Sequence, residues 1–378
     1  MSKNDKRLLI EGLFFFHIQT FIVMNQNLKY AVGIDISMDK FHVYFSVIDA
    51  LQKVTIKGSR SFTNNSKGFQ ALAIWVKFHQ KEPNLPLVYA MEATGVYYEN
   101  LAWFLHHLGH QVSVILPKKA KHYFKSLGLK SKNDKIDARG LAQMAAQQNL
   151  DTWKPISPQI QELRALTRHY NTLQEQKTVF SNQVHAIEHS YYQDKTVLKS
   201  LEEIIKLIDK QIRSIKKNIS TTVEKDPILK EKFALITPIR GVALITIATI
   251  VSETNGFELF ENERQLTSYS GYDVTERQSG KFVGQRRISK QGNSRIRKVL
   301  CMPAFNVVRS QQKPFTALYE RVYQRTNMKM KGYVAVQRKL LVLIFALWKK
   351  HEKYDPNKVA STSEATLDEV QNELLLQQ

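Results

Sequence analysis

The stretch from Lys29 to Ile115 constrains this chain most. It opens with three β-rich runs, KYAVGIDIS, FHVYFSVID and KVTIKGSRSF, separated by short polar breaks, as in consecutive antiparallel strands. An amphipathic helix around Gly68–Phe78 follows, then a strand PLVYAME, a helix over Tyr97–Leu108 ending at Gly109, and a strand QVSVIL. Once a helix joins two strands of one sheet, those strands run parallel, so the segment predicts a mixed sheet with helices packed on it.

Three meander strands passing into β–α–β alternation is the element order of an RNase H-like (RuvC-like) domain, although several α/β folds begin the same way. Asp35 lies in the apolar strand AVGIDIS between two isoleucines, where a carboxylate is costly unless something compensates it. Glu92 ends the strand LVYAME. In an RNase H-like sheet the first and fourth strands are parallel neighbours, which brings Asp35 and Glu92 together. Asp134 and Asp137 begin a predicted helix centred on KNDKIDARGLAQMAAQQ, and a spacing of three puts them on one face. Four oxygen-donor side chains are the hard ligands that Mg²⁺ or Mn²⁺ prefers. Taken singly, Asp134 reads as a helix N-cap and Glu92 as a solvated strand end.

The chain has 378 residues, of which 43% are hydrophobic, so a disordered protein is excluded. Its 55 Lys and Arg against 34 Asp and Glu leave a net charge of +21, which calls for a polyanionic partner, nucleic acid or an anionic membrane. Leu8–Val23 is apolar but interrupted by Glu11, His17 and Gln19, and is too short to span a bilayer comfortably. Met24 opens a cleaner beginning, so residues 1–23 are expected to be a dispensable extension or a misassigned start. With no other membrane segment, nucleic acid is the expected partner. The single cysteine, Cys301, excludes an internal disulfide framework and a multi-cysteine zinc site, and fits a cytoplasmic setting.

Beyond a Trp-Lys-Pro break at 153–155, Leu166, Tyr170, Leu173, Lys177, Phe180, Val184, Ile187 and Tyr191 alternate at spacings of four and three. After a polar break near Gln193-Asp194 the pattern resumes through Leu201, Ile205, Ile208, Ile212, Ile215 and Ile219. This predicts a helical hairpin or an oligomerising coiled coil. The expected organisation is a domain over 24–153, a coiled coil over 154–228, a mainly α domain over 229–355, and a mobile tail over 356–378.

The last domain carries a basic, glycine-punctuated stretch, SYSGYDVTERQSGKFVGQRRISKQGNSRIRKVL. Asn293 or Ser294 can cap the helix that follows, while Arg295, Arg297 and Lys298 crowd its first turn, where the helix dipole disfavours cations. A bound phosphate relieves that clash. Ser279, before Gly280 and between Arg277 and Lys281, reads either as a nucleophile toward phosphorus or as part of an ordinary Ser-Gly turn. The nucleic-acid contacts expected are Lys118, Lys119, Lys121, Lys125 and Lys132, with Tyr123 and Phe124 interleaved for stacking, and Arg277, Lys281, Arg286, Arg287, Lys290, Arg295 and Arg297. ITPIRGVALITIATIV reads as a buried helix after a proline break, or as a helical hairpin gripping a DNA backbone. His106 and His110 have a metal-compatible spacing but fall at a helix end, where capping is the simpler role.

Together these segments resemble the DEDD transposases of bacterial insertion sequences, a family of bridge-RNA-guided recombinases that includes a pilin-gene invertase. GIDIS with Asp35, MEATG with Glu92 and KNDKIDA with Asp134 and Asp137 look like that family's RuvC-like tetrad. PIRGV resembles its Pro-Gly-(Ile/Val)-Gly segment, with Arg240 where a glycine is usual. SYSGYDVTERQSG and RRISKQGNSRIRKVL look like its transposase-domain signature, in which Ser279 matches the serine nucleophile. The likeness runs from Met24 to Asp355. It implies Mg²⁺ held by the tetrad, a phosphoserine–DNA link through Ser279, a structured guide RNA, and assembly into homodimers or homotetramers through the coiled coil. The rival readings are a RuvC-type structure-specific endonuclease using water, and a non-catalytic nucleic-acid scaffold.

Overall fold

The computed structural model describes residues 26–356 apart from Thr94, residues 129–132, Arg277, Lys281, Gln285 and Arg286. The expected N-terminal extension, the tail beyond Pro356, and Lys132, Arg277, Lys281 and Arg286 therefore lie outside the described residues. The chain divides into two compact units between Pro155 and Ile156.

The first unit is built on a five-stranded sheet. Its strands β1 (Asn27–Ile36), β2 (Lys40–Asp49), β3 (Val54–Thr63), β4 (Leu87–Glu92) and β5 (Gln111–Ile115) stand in the order β3-β2-β1-β4-β5. The meander β1–β2–β3 is antiparallel, while β1 pairs with β4, and β4 with β5, in parallel. The crossovers are α1 (Ser66–His79) and α2 (Glu99–His107); α3 (Pro117–Ser126) and α4 (Asp134–Gln147) follow the last strand. This is the mixed sheet the sequence predicts.

Side chains alternate between the two sheet faces. Val32, Ile34, Phe41, Val43, Phe45, Tyr89 and Met91 join Phe69, Leu72, Leu101 and Leu105 in one core cluster. Each such fully buried side chain contributes about 1.5–3 kcal/mol. The other face is narrower. Ala31, Ile48, Val88 and Ala90 pack with Leu141, Met144 and Ala145 of α4. Gly33 makes that packing possible, because a Cβ there would lie 2.1 Å from the Ala142 amide nitrogen and 2.2 Å from the Ala138 carbonyl. The side chain Asn133 caps α4 by accepting from the Ile136 amide at 2.8 Å, so the capping role falls to Asn133 and not to Asp134.

The second unit is mainly helical. Two long helices, α5 (Pro158–Glu188) and α6 (Lys195–Lys225), pack along one another. Leu201, Ile208, Ile212, Ile215 and Ile219 are buried, and Lys177, at a seam position, meets Asp209 at 2.6 Å. Asp194 caps α6 at the predicted break. Next come α7 (Pro227–Ile236), α8 (Leu244–Glu253), α9 (Glu263–Tyr269), α10 (Ser294–Arg309), α11 (Lys313–Thr326) and α12 (Lys329–Lys350), around a core that includes Phe233, Ile247, Phe257, Leu300, Leu340 and Trp348. The turn between α7 and α8 passes through Gly241 at φ +90°, and α8 is buried along most of its length.

Between α9 and α10 the glycine-punctuated stretch is a β-ribbon, with the expected Ser-Gly turn at Gly280. β6 (Val274–Thr275) pairs with β9 (Arg287–Ile288), and β7 (Gln278–Ser279) with β8 (Phe282–Val283), both antiparallel. Alternation is too short here to signal strands: each is two residues long. Among the described residues no helix is long and apolar enough to cross a membrane.

Candidate active site

In the first unit, one row of polar side chains crosses the sheet on the face covered by α4. Asp35 on β1 stands opposite His42 on β2, and His42 opposite Ser61 on β3. Glu92 follows Met91, the residue registered with Ile34, so it ends β4 beside the Asp35 position. All three pairings put like-facing residues side by side, and the isoleucines flanking Asp35 turn to the opposite core. Asp134 and Asp137 enter from the first turn of α4.

The four acids act on one another. Burial raises the Asp35 pKa most, and repulsion from Asp137, Asp134 and Glu92 adds to it, bringing the group to about 6. A hydrogen bond from the backbone at Ile36 opposes the rise. Among the described residues no three His, Cys, Asp or Glu side chains reach a common metal-holding position. The acids nonetheless share an electrostatic neighbourhood of oxygen donors, the kind of set whose repulsion a divalent cation would relieve.

Two residues at this site escaped the sequence reading. His42 Nε2 lies 3.5 Å from Asp134 Oδ2, and its Nδ1 lies 2.7 Å from the Ser61 hydroxyl. Burial lowers the His42 pKa, Asp134 works against that, and Lys40 and Lys135 reinforce it. Asn64 donates from Nδ2 to the Ser37 and Tyr97 carbonyls at 2.9 and 3.2 Å. It thereby ties the segment after Asp35 to the segment after Glu92. Period-two alternation marks His42 and Ser61 as facing away from the apolar core, but only the register shows them aligned with Asp35.

On α3, Lys119, Lys121 and Lys125 are exposed, as is Lys118. The interleaved aromatics are not: Tyr123 donates to Gln147 Oε1 at 2.7 Å, and Phe124 packs over Gly140. Both rings are half-buried against α4. His106 sits edge-on to Trp103 and Trp153, while His110 packs on Tyr89, so the spacing of these histidines reflects packing.

In the second unit, Ser279 is exposed and registered with Phe282 across the ribbon. Gly280 follows at φ +56°, and a Cβ there would meet nothing within 4 Å. The hydroxyl stands on open backbone. The ribbon is fastened at its base: Ser289 Oγ donates to Asp273 Oδ1 at 2.6 Å, and the Asn293 amide to the Tyr269 carbonyl at 2.8 Å. Asn293 also caps α10, accepting from the Arg295 and Ile296 amides, and donates to Glu253 Oε2 at 2.9 Å.

Glu253 is buried and takes two hydrogen bonds from Arg168, at 2.7 and 3.0 Å. Burial would raise its pKa, but Arg168, Asn293 and the nearby Arg164 outweigh burial and hold it low. The expected phosphate contacts divide accordingly. Arg297 donates to the Ser270 and Lys290 carbonyls at 2.8 and 3.2 Å and so braces the ribbon. Arg295 lies 3.9 Å from Glu253. The side chains of Arg287 and Lys290 reach the surface. Lys298 pairs with Glu175.

Two family models match the chain: one described as a transposase, of the DEDD IS110 type, over residues 32–192, and one described as the transposase IS116/IS110/IS902 family, over residues 234–320. A pilin gene-inverting protein of Moraxella bovis is 29% identical over 333 residues, covering 86% of this chain and 98% of the relative. The transposase for insertion sequence element IS1111A of Coxiella burnetii is 21% identical over 273 residues, covering 65% of this chain and 74% of the relative. The solved structure of RuvC from Thermus thermophilus aligns at 12% identity and a TM-score of 0.26, over 33% of this chain and 99% of that one.

Proposed function

Because the chain belongs to the IS110 family of DEDD transposases and is a DNA transposase or recombinase, we propose that it cuts and rejoins DNA with Asp35, Glu92, Asp134 and Asp137 as the acidic tetrad and Ser279 as the nucleophile. The observation that carries this reading is the alignment of Asp35 and Glu92 on one sheet face under the first turn of α4, with Asp35 raised to about 6 by burial and by the other three acids. That donor set fits Mg²⁺ or Mn²⁺ in kind. When bound, the cation supplies charge neutralisation at the scissile phosphate and stabilises the oxygen that leaves.

The chain's own residues do the rest. The Ser279 oxygen forms a bond to phosphorus as the bridging P–O bond to deoxyribose breaks; the serine proton is lost and the departing oxygen is reprotonated as a hydroxyl. One phosphodiester replaces another, so the strand can be resealed without a nucleotide triphosphate. Cations about the ribbon and on α3 hold the backbone without reading sequence. Specificity then comes from a structured bridge RNA that pairs with target and donor DNA, in keeping with a chain that carries abundant Lys and Arg. The long pair α5 and α6 is the proposed joint between subunits, in dimers or tetramers.

Covalent trapping tests the reading. Incubated with labelled DNA and Mg²⁺, the wild type should yield a protein-linked strand that is absent in Ser279→Ala. Cleavage without any adduct, equal in wild type and Ser279→Ala, would replace this reading with a water-using endonuclease. Undiminished activity in Asp35→Ala and Glu92→Ala would remove the tetrad.

A further inference from the structure

His42 is the one ring that lies in the acid row, and both of its nitrogens face polar partners. Its side chain is 13% exposed, whereas that of Asp134 is 56% exposed. The more enclosed, sheet-anchored group is thus placed to hold the freer one. A carboxylate can only accept, so the proton of the contact must sit on His42 Nε2. A neutral ring then has a bare Nδ1, which needs a donor, and the Ser61 hydroxyl at 2.7 Å supplies it. In that tautomer the Ser61 hydroxyl donates to His42 Nδ1 and the Nε2 proton faces Asp134.

We infer that His42 is a positioning residue for the acid site: with its tautomer set by Ser61, it holds Asp134 toward the Asp35 row, as a residue that would help hold a divalent cation there. The inference rests on the tetrad reading above and goes beyond it. Carboxylates that ligate metals are themselves oriented by outer hydrogen bonds, whose loss typically costs about 10–100-fold in metal affinity. The 3.5 Å separation is long for a hydrogen bond, as such contacts often are before the full complex forms. Plain packing does not account for the arrangement, because the ring's neighbours across the sheet, Asp35 and Ser61, are both polar.

The test is Mn²⁺ titration of the full chain without DNA, with free ion followed by electron paramagnetic resonance, alongside thermal unfolding in chelator. Asp35→Ala and Asp134→Ala should abolish binding. His42→Ala should weaken it about ten-fold, His42→Gln should recover part of the loss through its amide N–H, and Ser61→Ala should weaken it less than His42→Ala. A purely structural role for His42 predicts lower unfolding temperatures with no rescue of affinity by Gln, which overturns the proposal. So does wild-type affinity in His42→Ala and Ser61→Ala while the Asp variants lose binding; the tetrad then stands without it. Unchanged affinity in the Asp variants overturns both. Should His42→Ala not fold, Ser61→Ala decides, since it removes one hydroxyl from an exposed residue.

Discussion

Asp35 and Ser279 both sit on β-strands, and the strands are of opposite construction. Asp35 lies near the end of a ten-residue strand flanked by partners on both sides, with a helix packed across its face. Ser279 lies on a two-residue strand, exposed, in a ribbon fastened at its base by Asp273, Ser289, Asn293 and Arg297. The first arrangement makes a carboxylate costly and keeps it beside three others. The second leaves a hydroxyl open to something as large as a DNA backbone. A site for cations needs enforced proximity of like charges, which only a well-packed core can impose; a nucleophile needs access.

The comparison is broken most severely at the serine itself. If Ser279 is the nucleophile, Ser279→Ala should lower strand transfer on the order of 10⁴-fold or more, with Mn²⁺ affinity unchanged, as measured on pre-cleaved and intact DNA. A matching fall in Mn²⁺ affinity would mean that the variant disturbs more than the ribbon.

The ribbon's footing comes next. Arg168→Met removes both hydrogen bonds from a carboxylate that is 2% exposed, which should destabilise the second unit by about 3–5 kcal/mol. Denaturant unfolding of Arg168→Met and of the double variant with Glu253→Met separates the loss of the pair from the cost of a stranded charge. The double variant should be the more stable of the two.

The two regions also differ in how legible they were. Strands β1 and β2 are readable because their apolar residues line one core with period two, Val32, Ile34 and Ile36 on β1 and Phe41, Val43 and Phe45 on β2. Asp35 stands out because it ends an unbroken apolar run, Ala31–Ile34, in a strand buried on both faces. His42 does not, since a polar residue between Phe41 and Val43 is what an ordinary half-buried strand shows. Its place beside Asp35 is a matter of register, a pairing between distant residues that local pattern does not encode. For the ribbon the reverse holds. Ser279, Gly280 and the surrounding cations were visible as a contiguous stretch, but strands of two residues carry no periodicity. Arg297 read as a phosphate ligand because its first-turn position is unfavourable for a cation; two backbone carbonyls resolve that conflict instead. Tyr123 and Phe124 pack partly on α4, and nothing local distinguishes a ring that stacks on a base from one that does so.

A smaller effect comes from the contact that brings α4 onto β1. In Gly33→Ala the added Cβ would meet the backbone at Ala138 and Ala142 at little more than 2 Å, and helix backbone cannot yield as a side-chain tip does. The helix must shift outward, at about 1–3 kcal/mol. It carries Asp134 and Asp137 away from Asp35, so the pKa of Asp35 should fall toward the ordinary carboxylate value, read by nuclear magnetic resonance of the labelled carboxyl. A Gly33→Ala variant that is less stable yet keeps the raised pKa would assign the shift to burial alone.

The smallest effect is the most diagnostic of what the acid site costs the fold. The Asp35 carboxyl, ordinarily near 3.8, is raised to about 6 in the folded chain. The folded state therefore holds a proton that the unfolded state has released between those values. Stability from this group is fully present below about pH 4 and lost as pH rises through 6. Asp35→Asn removes the titration. In chelator, the variant should be more stable than wild type above pH 6 by on the order of 1–2 kcal/mol, after allowing for screening by solvent. The difference should shrink toward zero below pH 4. Adding Mn²⁺ should reverse its sign, because a cation that binds only the folded wild type stabilises it by mass action. In the second unit, Ser279→Ala should show neither behaviour, since an exposed hydroxyl carries no charge for the fold to resist.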